Sequence, residues 1–175
     1  MRQYSKRMVI VHWLTLVLLV VAWFLGDALD EARHEGSATL IGYFVHVMTG
    51  GMVLLLTILR WTFRGVDGTP PPVGQTLMDM VAKGVHYGLY ILLLLLPVSG
   101  FMTILTSSVG MALLGGDASL LPAKYTGPGI FPHTLHEILV TVLMVVVVVH
   151  ILGAIKHQFI MKDNLMKRMS LRRTD

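Results

Sequence analysis

Four apolar runs of about 20 residues constrain this chain more than any other feature. Segments of that length cross a bilayer, where backbone polar groups can be satisfied only within helices or closed barrels. The runs cover about residues 9–26, 40–59, 84–106 and 131–155, much longer than barrel strands, so the expected fold is all-α. They fill about half of the 175 residues, and the mean hydropathy is +0.70. The chain is therefore read as one membrane domain over 1–175, an integral four-transmembrane-helix bundle with short connections. Arg2, Lys6 and Arg7 give the first run the look of a signal peptide. That run is nevertheless too long for a signal-peptide core, contains His12 and Trp13, and leads to no small-residue cleavage site, so it is expected to stay as a span.

Charge sets the expected orientation. With the N-terminus inside, the inner segments hold Arg2, Lys6, Arg7, Arg60, Arg64, Lys83, Lys156, Lys162, Lys167, Arg168, Arg172 and Arg173, which is 12 of the 14 basic residues. The outer segments keep Arg33 and Lys124 beside Asp27, Asp30, Glu31, Glu35 and Asp117. Both termini are then cytoplasmic, in a multi-pass membrane protein. The net charge of +4 reads as a topology signal and a contact with anionic membrane lipid, not as a nucleic-acid footprint. The absence of cysteine removes disulfides, covalent c-type haem, cysteine-ligated iron–sulfur clusters and thiolate nucleophiles, which leaves histidine for any metal chemistry.

The connections are an acidic outer loop at about 27–39, an inner loop at about 61–83 with Gly68-Thr69-Pro70-Pro71-Pro72, and a glycine-rich outer loop at about 107–130. The last is expected to fold over the outer mouth of the bundle. Pro97 and Gly100 should kink the third span and let a neighbour approach closely, and Gly50 and Gly51 should do the same in the second. Pro132 opens the fourth span, and the basic tail after Lys156 should lie along the inner surface. Trp13, Trp23, Trp61, Tyr43, Tyr87 and Tyr90 suit interfacial anchoring.

Five histidines lie within the spans: His12, His46, His86, His136 and His150. An ionisable group in a bilayer is costly, so each reads as functional unless a partner accounts for it. His136 and His150 are 14 residues apart on one helix, which returns them to nearly one face, roughly 21 Å apart along the axis. Topology puts His46 and His136 in an outer layer, and His12, His86 and His150 in an inner one. Two planar macrocycles gripped by imidazoles from different helices fit this layout, because bundle interiors hold cofactors between facing helices and histidine is a common axial ligand of haem. The outer pair follows by elimination. Spacing alone leaves His12 and His86 as equal candidates within the inner layer.

Other readings compete. A single histidine in a span is often a helix–helix hydrogen-bond partner, but five matched across two depths are poorly explained that way. A small-ion site or a histidine relay in a proton or metal-ion transporter is a further class. Ion sites usually mix carboxylates or thiolates with histidine, and Glu137, the only acid in a span, points about 100° away from His136. His34 and His133 read as solvated or interfacial. His157 shares the face of His150 and can reach an inner cofactor or a quinone headgroup. Arg60, Arg64 and Lys6 can neutralise haem propionates, although positive-inside charge explains them equally well.

With the histidines placed, the chain resembles the prokaryotic cytochrome b561 family of four-helix, di-haem membrane proteins, relatives of the cytochrome b subunits of hydrogenases and formate dehydrogenases. The matching pieces are His12-Trp13, Tyr43-Phe44-Val45-His46, and His86 through Tyr90 to Leu96-Pro97-Val98-Ser99-Gly100. They continue with Leu135-His136-Glu137, His150, and His157 with Lys162-Asp163-Asn164. The likeness runs in order along nearly the whole chain. It implies two haem b groups, the inner held by His12 and His150 and the outer by His46 and His136. His86, His157 and Arg60 become candidate contacts to quinone or propionate.

The resemblance further implies electron transfer between an outer donor and ubiquinone. Superoxide is the preferred donor, making the protein a superoxide:ubiquinone oxidoreductase, with Lys124 as the outer contact to the anion. A membrane anchor fed by a partner dehydrogenase or soluble cytochrome is the alternative. The lipid-facing surface of such a small bundle can also support a homodimer.

Overall fold

The computed structural model describes residues 2–71 and 77–172. Pro72 of the proline run and Arg173 of the basic tail lie outside them. Five α-helices occur among the described residues: α1 (Lys6–His34), α2 (Leu40–Asp67), α3 (Leu77–Thr106), α4 (Ser108–Gly115) and α5 (Ile130–Ile155). No strand is present among them. Four helices, α1, α2, α3 and α5 with its continuation, are long and apolar enough to cross a membrane.

Local chemistry sets the helix starts. Ser5 caps α1 by accepting from the Met8 N–H, Thr39 caps α2 through the Gly42 N–H, and Ser107 caps α4 through the Val109 N–H. α3 continues through Pro97 despite the amide hydrogen that proline lacks. Hydroxyls within the spans turn back on their own helices: Thr15 donates to the Val11 carbonyl, Thr57 to Val53 and Thr103 to Ser99. These groups are satisfied without water.

Three helices outrun their apolar segments. α1 continues through the acidic stretch to His34, which shrinks the expected 27–39 loop to a short turn. Asp30 accepts from Arg33 one turn on, and its carbonyl meets His34 Nδ1 at 2.8 Å. Hydropathy marks bilayer depth, whereas spaced charged pairs let a helix continue into the polar zone. Likewise α2 runs to Asp67 and α3 begins at Leu77, so much of the expected 61–83 loop is helical.

α1 packs along α2, α3 packs along α5, and α2 joins the two pairs through α3. A cluster of Val53, Leu92, Leu93 and Leu143 forms the core, flanked by Leu18, Leu19, Leu89, Leu96, Leu139, Val146 and Val147. The backbones of α1 and α2 keep farther from α5 than partners within a pair do. That wider seam is where the histidines meet. Most other large apolar side chains point outward, as expected where lipid replaces water and packing supplies the attraction between helices.

The two termini meet at one end of the bundle. The Tyr4 N–H donates to the Arg168 carbonyl, Gln3 Nε2 to that of Lys167, and Trp13 Nε1 to that of Met169, at 3.1, 2.7 and 3.1 Å. Trp13 thus anchors the tail as well as suiting an interface. The tail reaches this position through a widened helical turn, Lys156–Met161, and left-handed backbone at Lys162 and Asn164. At the other end α4 packs on α3 and α2, and the Ala123 carbonyl accepts from buried Arg33 at 3.2 Å. The 107–130 segment therefore covers that end of the bundle.

Candidate functional site

Two imidazole pairs face each other across the wide seam at opposite ends of the apolar core. At the loop end the rings of His46 on α2 and His136 on α5 have centroids 6.2 Å apart with planes at 79°. At the terminal end His12 on α1 and His150 on α5 stand 6.4 Å apart at 73°. His86 on α3 lies closer to His150, at 5.2 Å. Leu143, seven residues from both α5 histidines, is 2% exposed in the core between the layers.

The separations can be tested against a haem iron. Imidazole nitrogens sit about 2.0–2.1 Å from a bound transition metal, and the ring centroid lies about 1.1 Å farther back, so an ion held in line needs centroids about 6.3 Å apart. The 6.2 and 6.4 Å pairs fit that requirement, and the 5.2 Å contact of His86 with His150 is too short for it. Among the described residues no three histidine or acidic side chains converge as ligands for a bare ion. Paired imidazoles suit a macrocycle that brings its own equatorial nitrogens.

The loop-end pair is seated on glycine from both sides. A Cβ on Gly26 of α1 would stand 3.0 Å from His46 Cε1, and one on Gly100 of α3 would stand 3.1 Å from His136 Cε1. Gly100 thus makes the close approach expected of it, and Gly26 makes another, whereas at Gly50 and Gly51 a Cβ would meet nothing within 4 Å. The difference arises because the tight contacts are made by imidazoles, not by helix backbones. His136 Nδ1 donates to the Leu96 carbonyl at 3.0 Å, one turn before Gly100, and lies 3.1 Å from Ser99 Oγ. Ser99 is 4% exposed and donates to the same carbonyl. This bond fixes the ring's tautomer and leaves Nε2 free to ligate. His46 Nδ1 is buried with no hydrogen-bond partner among the described residues.

The terminal-end pair has a different neighbour. Arg60 Nη1 lies 2.9 Å from His12 Nδ1. A guanidinium can only donate, so that nitrogen accepts here. Arg60 Nε is buried with no partner, and its guanidinium lies 5.4 Å from the Tyr90 ring, with that of Arg64 at 5.8 Å. A half-buried cation whose buried Nε lacks an acceptor suits an anionic group such as a haem propionate. His86 is exposed at the edge of the seam. His157 turns to Asp163 on the tail, with Nδ1 2.6 Å from the carboxylate. Burial pushes the Asp163 carboxyl up, but the hydrogen bonds from His157 and the Leu165 N–H outweigh it and hold the group below its ordinary range.

Above the loop-end layer lies a polar cluster that residue spacing did not reveal. Arg33, 8% exposed, pairs with Asp30 and lies 5.4 Å from the Tyr125 ring. Tyr125 stacks on His133 at 4.0 Å and places its hydroxyl 3.5 Å from that of buried Tyr43. Burial and the Tyr43 hydroxyl raise the Tyr125 phenol above its ordinary value, so it stays neutral. Arg33, from the outer segment after the first span, and His133, read as solvated or interfacial, are both drawn into packing by Tyr125 of the loop. Lys124 is exposed and makes no ion pair among the described residues.

Comparison with known proteins agrees with this architecture. The prokaryotic cytochrome b561 family matches residues 3–170. The chain is 30% identical over 170 residues to cytochrome b562 of Cereibacter sphaeroides, covering 95% of this chain and 94% of that one. It is 24% identical over 177 residues to cytochrome b561 homolog 1 of Escherichia coli, with 99% of both chains covered. It is also 24% identical over 173 residues to the probable superoxide oxidase CybB of Yersinia pestis, with 96% of both covered. The chain belongs to the prokaryotic cytochrome b561 family, and is a haem-b-binding, multi-pass bacterial membrane protein of electron transfer.

Proposed function

We propose that this cytochrome b561-family protein holds two b haems, one between His46 and His136 near the outer face and one between His12 and His150 near the inner face, and passes electrons from an outer one-electron donor to ubiquinone. The carrying observation is the pair of imidazole separations, 6.2 and 6.4 Å, at the two ends of one apolar core. The 5.2 Å approach of His86 to His150 favours His12 as the inner ligand and leaves His86 beside it as a contact for quinone. Arg60 is the inner counter-charge for a propionate. His157, tied to Asp163, lines the approach from the tail. The basic residues gathered at the terminal end make that end cytoplasmic in an inner membrane, with residues 1–175 acting as one domain.

Haem supplies one-electron chemistry when bound, and the chain supplies position, dryness and electrostatics. His136 is held in its ligating tautomer by the Leu96 carbonyl. Gly26 and Gly100 let both outer rings stand close to α1 and α3. The core around Leu143 keeps water out of the space between layers.

Superoxide is the donor we favour, on the likeness to a relative named probable superoxide oxidase, with Lys124 as the exposed cation of the outer loop. Purified protein in detergent should show the Soret band of b haem, two haems per chain, and formation of quinol when superoxide is generated beside it with ubiquinone. Two haems without quinol under superoxide would reject that donor, and colourless protein made with ample haem would reject the whole reading.

A further inference from the structure

We infer that the inner haem is poised at a higher reduction potential than the outer, with Arg60 as the residue that raises it and the Leu96 carbonyl as the group that holds the outer one down. This rests on the two-haem reading above.

The two layers are electrostatically unlike. At the outer layer His136 Nδ1–H is given to a neutral carbonyl at 3.0 Å, with the Ser99 hydroxyl at 3.1 Å. An acceptor on the far ring nitrogen makes an imidazole a more basic ligand, which favours the oxidised metal. Among the described residues the hydrogen-bond partners of His136 are the Leu96 carbonyl and Ser99, and no arginine or lysine is bonded to His46 or His136. Arg33, the nearest buried cation on that side, is neutralised by its bond to Asp30.

At the inner layer Arg60 Nη1 stands 2.9 Å from His12 Nδ1, and its guanidinium lies 5.4 Å from the Tyr90 ring. No carboxylate pairs with it among the described residues, and its Nε is buried and unmet. Reduction adds one negative charge at the site, so a fixed cation held there in low dielectric favours the reduced state.

Ligation does not undo this bias. Once His12 ligates through Nε2, Nδ1 carries the hydrogen and can no longer accept from Arg60, so Nη1 must turn to another acceptor. A propionate is an acceptor that meets the free Nε as well. Without Arg60 that propionate would stand as an uncompensated negative charge beside the inner haem. Neutralising Arg60 therefore lowers the inner potential in either arrangement. Electrons entering at the outer face then run downhill to the inner layer, which offsets the work of moving negative charge toward the negative side of an energised membrane.

The test is an optical redox titration of the haem-loaded full chain in lipid nanodiscs. The wild type should titrate in two separated steps. His46→Ala, which keeps the inner haem, should retain the upper step. Arg60→Gln should lower the upper step alone with both haems still bound, and Arg60→Lys should restore much of it. If Arg60→Gln binds haem poorly, the comparison of Arg60→Lys with wild type and the step retained by His46→Ala decide the matter. Two haems with coincident potentials, an upper step that vanishes in His46→Ala, or an upper step unmoved by Arg60→Gln overturns the inference while leaving the di-haem reading intact. A chain that binds one haem or none fails the reading itself, and the inference with it.

Discussion

Adding one methyl group at Gly100 should weaken the outer haem while leaving the inner one in place. The new Cβ would lie 3.1 Å from His136 Cε1 and 3.2 Å from Nδ1, a few tenths of an ångström inside comfortable contact. The ring cannot yield freely, because its Nδ1 is bonded to the Leu96 carbonyl at 3.0 Å on the same turn of α3. It must either stretch that bond, worth about 0.5–1.5 kcal/mol, or bear overpacking strain of about 1–3 kcal/mol. Alanine is the better helix former by about 1 kcal/mol, but that gain is present with or without haem and does not offset the binding loss. A net cost of about 1–3 kcal/mol corresponds to outer-haem affinity about 5- to 150-fold weaker. Haem titration of the purified Gly100→Ala protein, followed by Soret absorbance and haem per chain, reads this directly. Gly115→Ala is the control, since a Cβ there meets nothing within 4 Å. Wild-type affinity at both sites in Gly100→Ala, or an equal loss in Gly115→Ala, would refute the argument.

Further outcomes follow from the same geometry. His46→Ala and His136→Ala should each give a protein with one haem per chain, and retention of two haems in either would sink the outer pairing. His12→Ala should lose the inner haem whereas His86→Ala keeps both and reacts more slowly with quinone; haem loss in His86→Ala would reverse the inner assignment. The depressed Asp163 carboxyl contributes tail stability that is complete above the ordinary carboxylate pKa of about 4 and is lost as pH falls through the lower folded value. Proteolysis at Lys167 and Arg168 should therefore hold steady from neutral pH down to about 5, and rise in Asp163→Asn at pH 7; equal cleavage of variant and wild type would show that the His157 contact does not hold the tail.

The spans and the two histidine layers were legible because both depend on regular repeats. About 20 apolar residues mark a crossing, and a 14-residue spacing on one helix marks two depths on one face. The close seats of the rings were not legible. Gly26 looked like the end of a span, and Gly100 looked like a site for helix approach. Their role depends on imidazoles from α2 and α5 arriving over them, a tertiary fact with no local pattern. Arg33 and Tyr125 were hidden for a similar reason, since 92 residues separate them in the sequence. The helix ends were misjudged because hydropathy reports where the bilayer ends, whereas Asp30 with Arg33 and the cap at Thr39 decide where the helices do.

The same core that separates the layers also distinguishes electron transfer from a histidine relay. His136 and His150 are roughly 21 Å apart along α5, and the space between them is closed by Leu143, Val53, Leu92 and Leu93 with Leu139, Val146 and Val147 at its margins. None of these side chains can carry a proton. The nearby hydroxyls of Thr15 and Thr57 are committed to their own backbones at 2.7 and 2.8 Å. A relay needs a continuous line of titratable groups or ordered water, and a closely packed apolar layer hosts neither. An electron has no such requirement, since it can cross packed side chains without a bonded carrier. Polar chemistry at each end and a dry layer between them let the chain conduct one kind of charge while holding back the other.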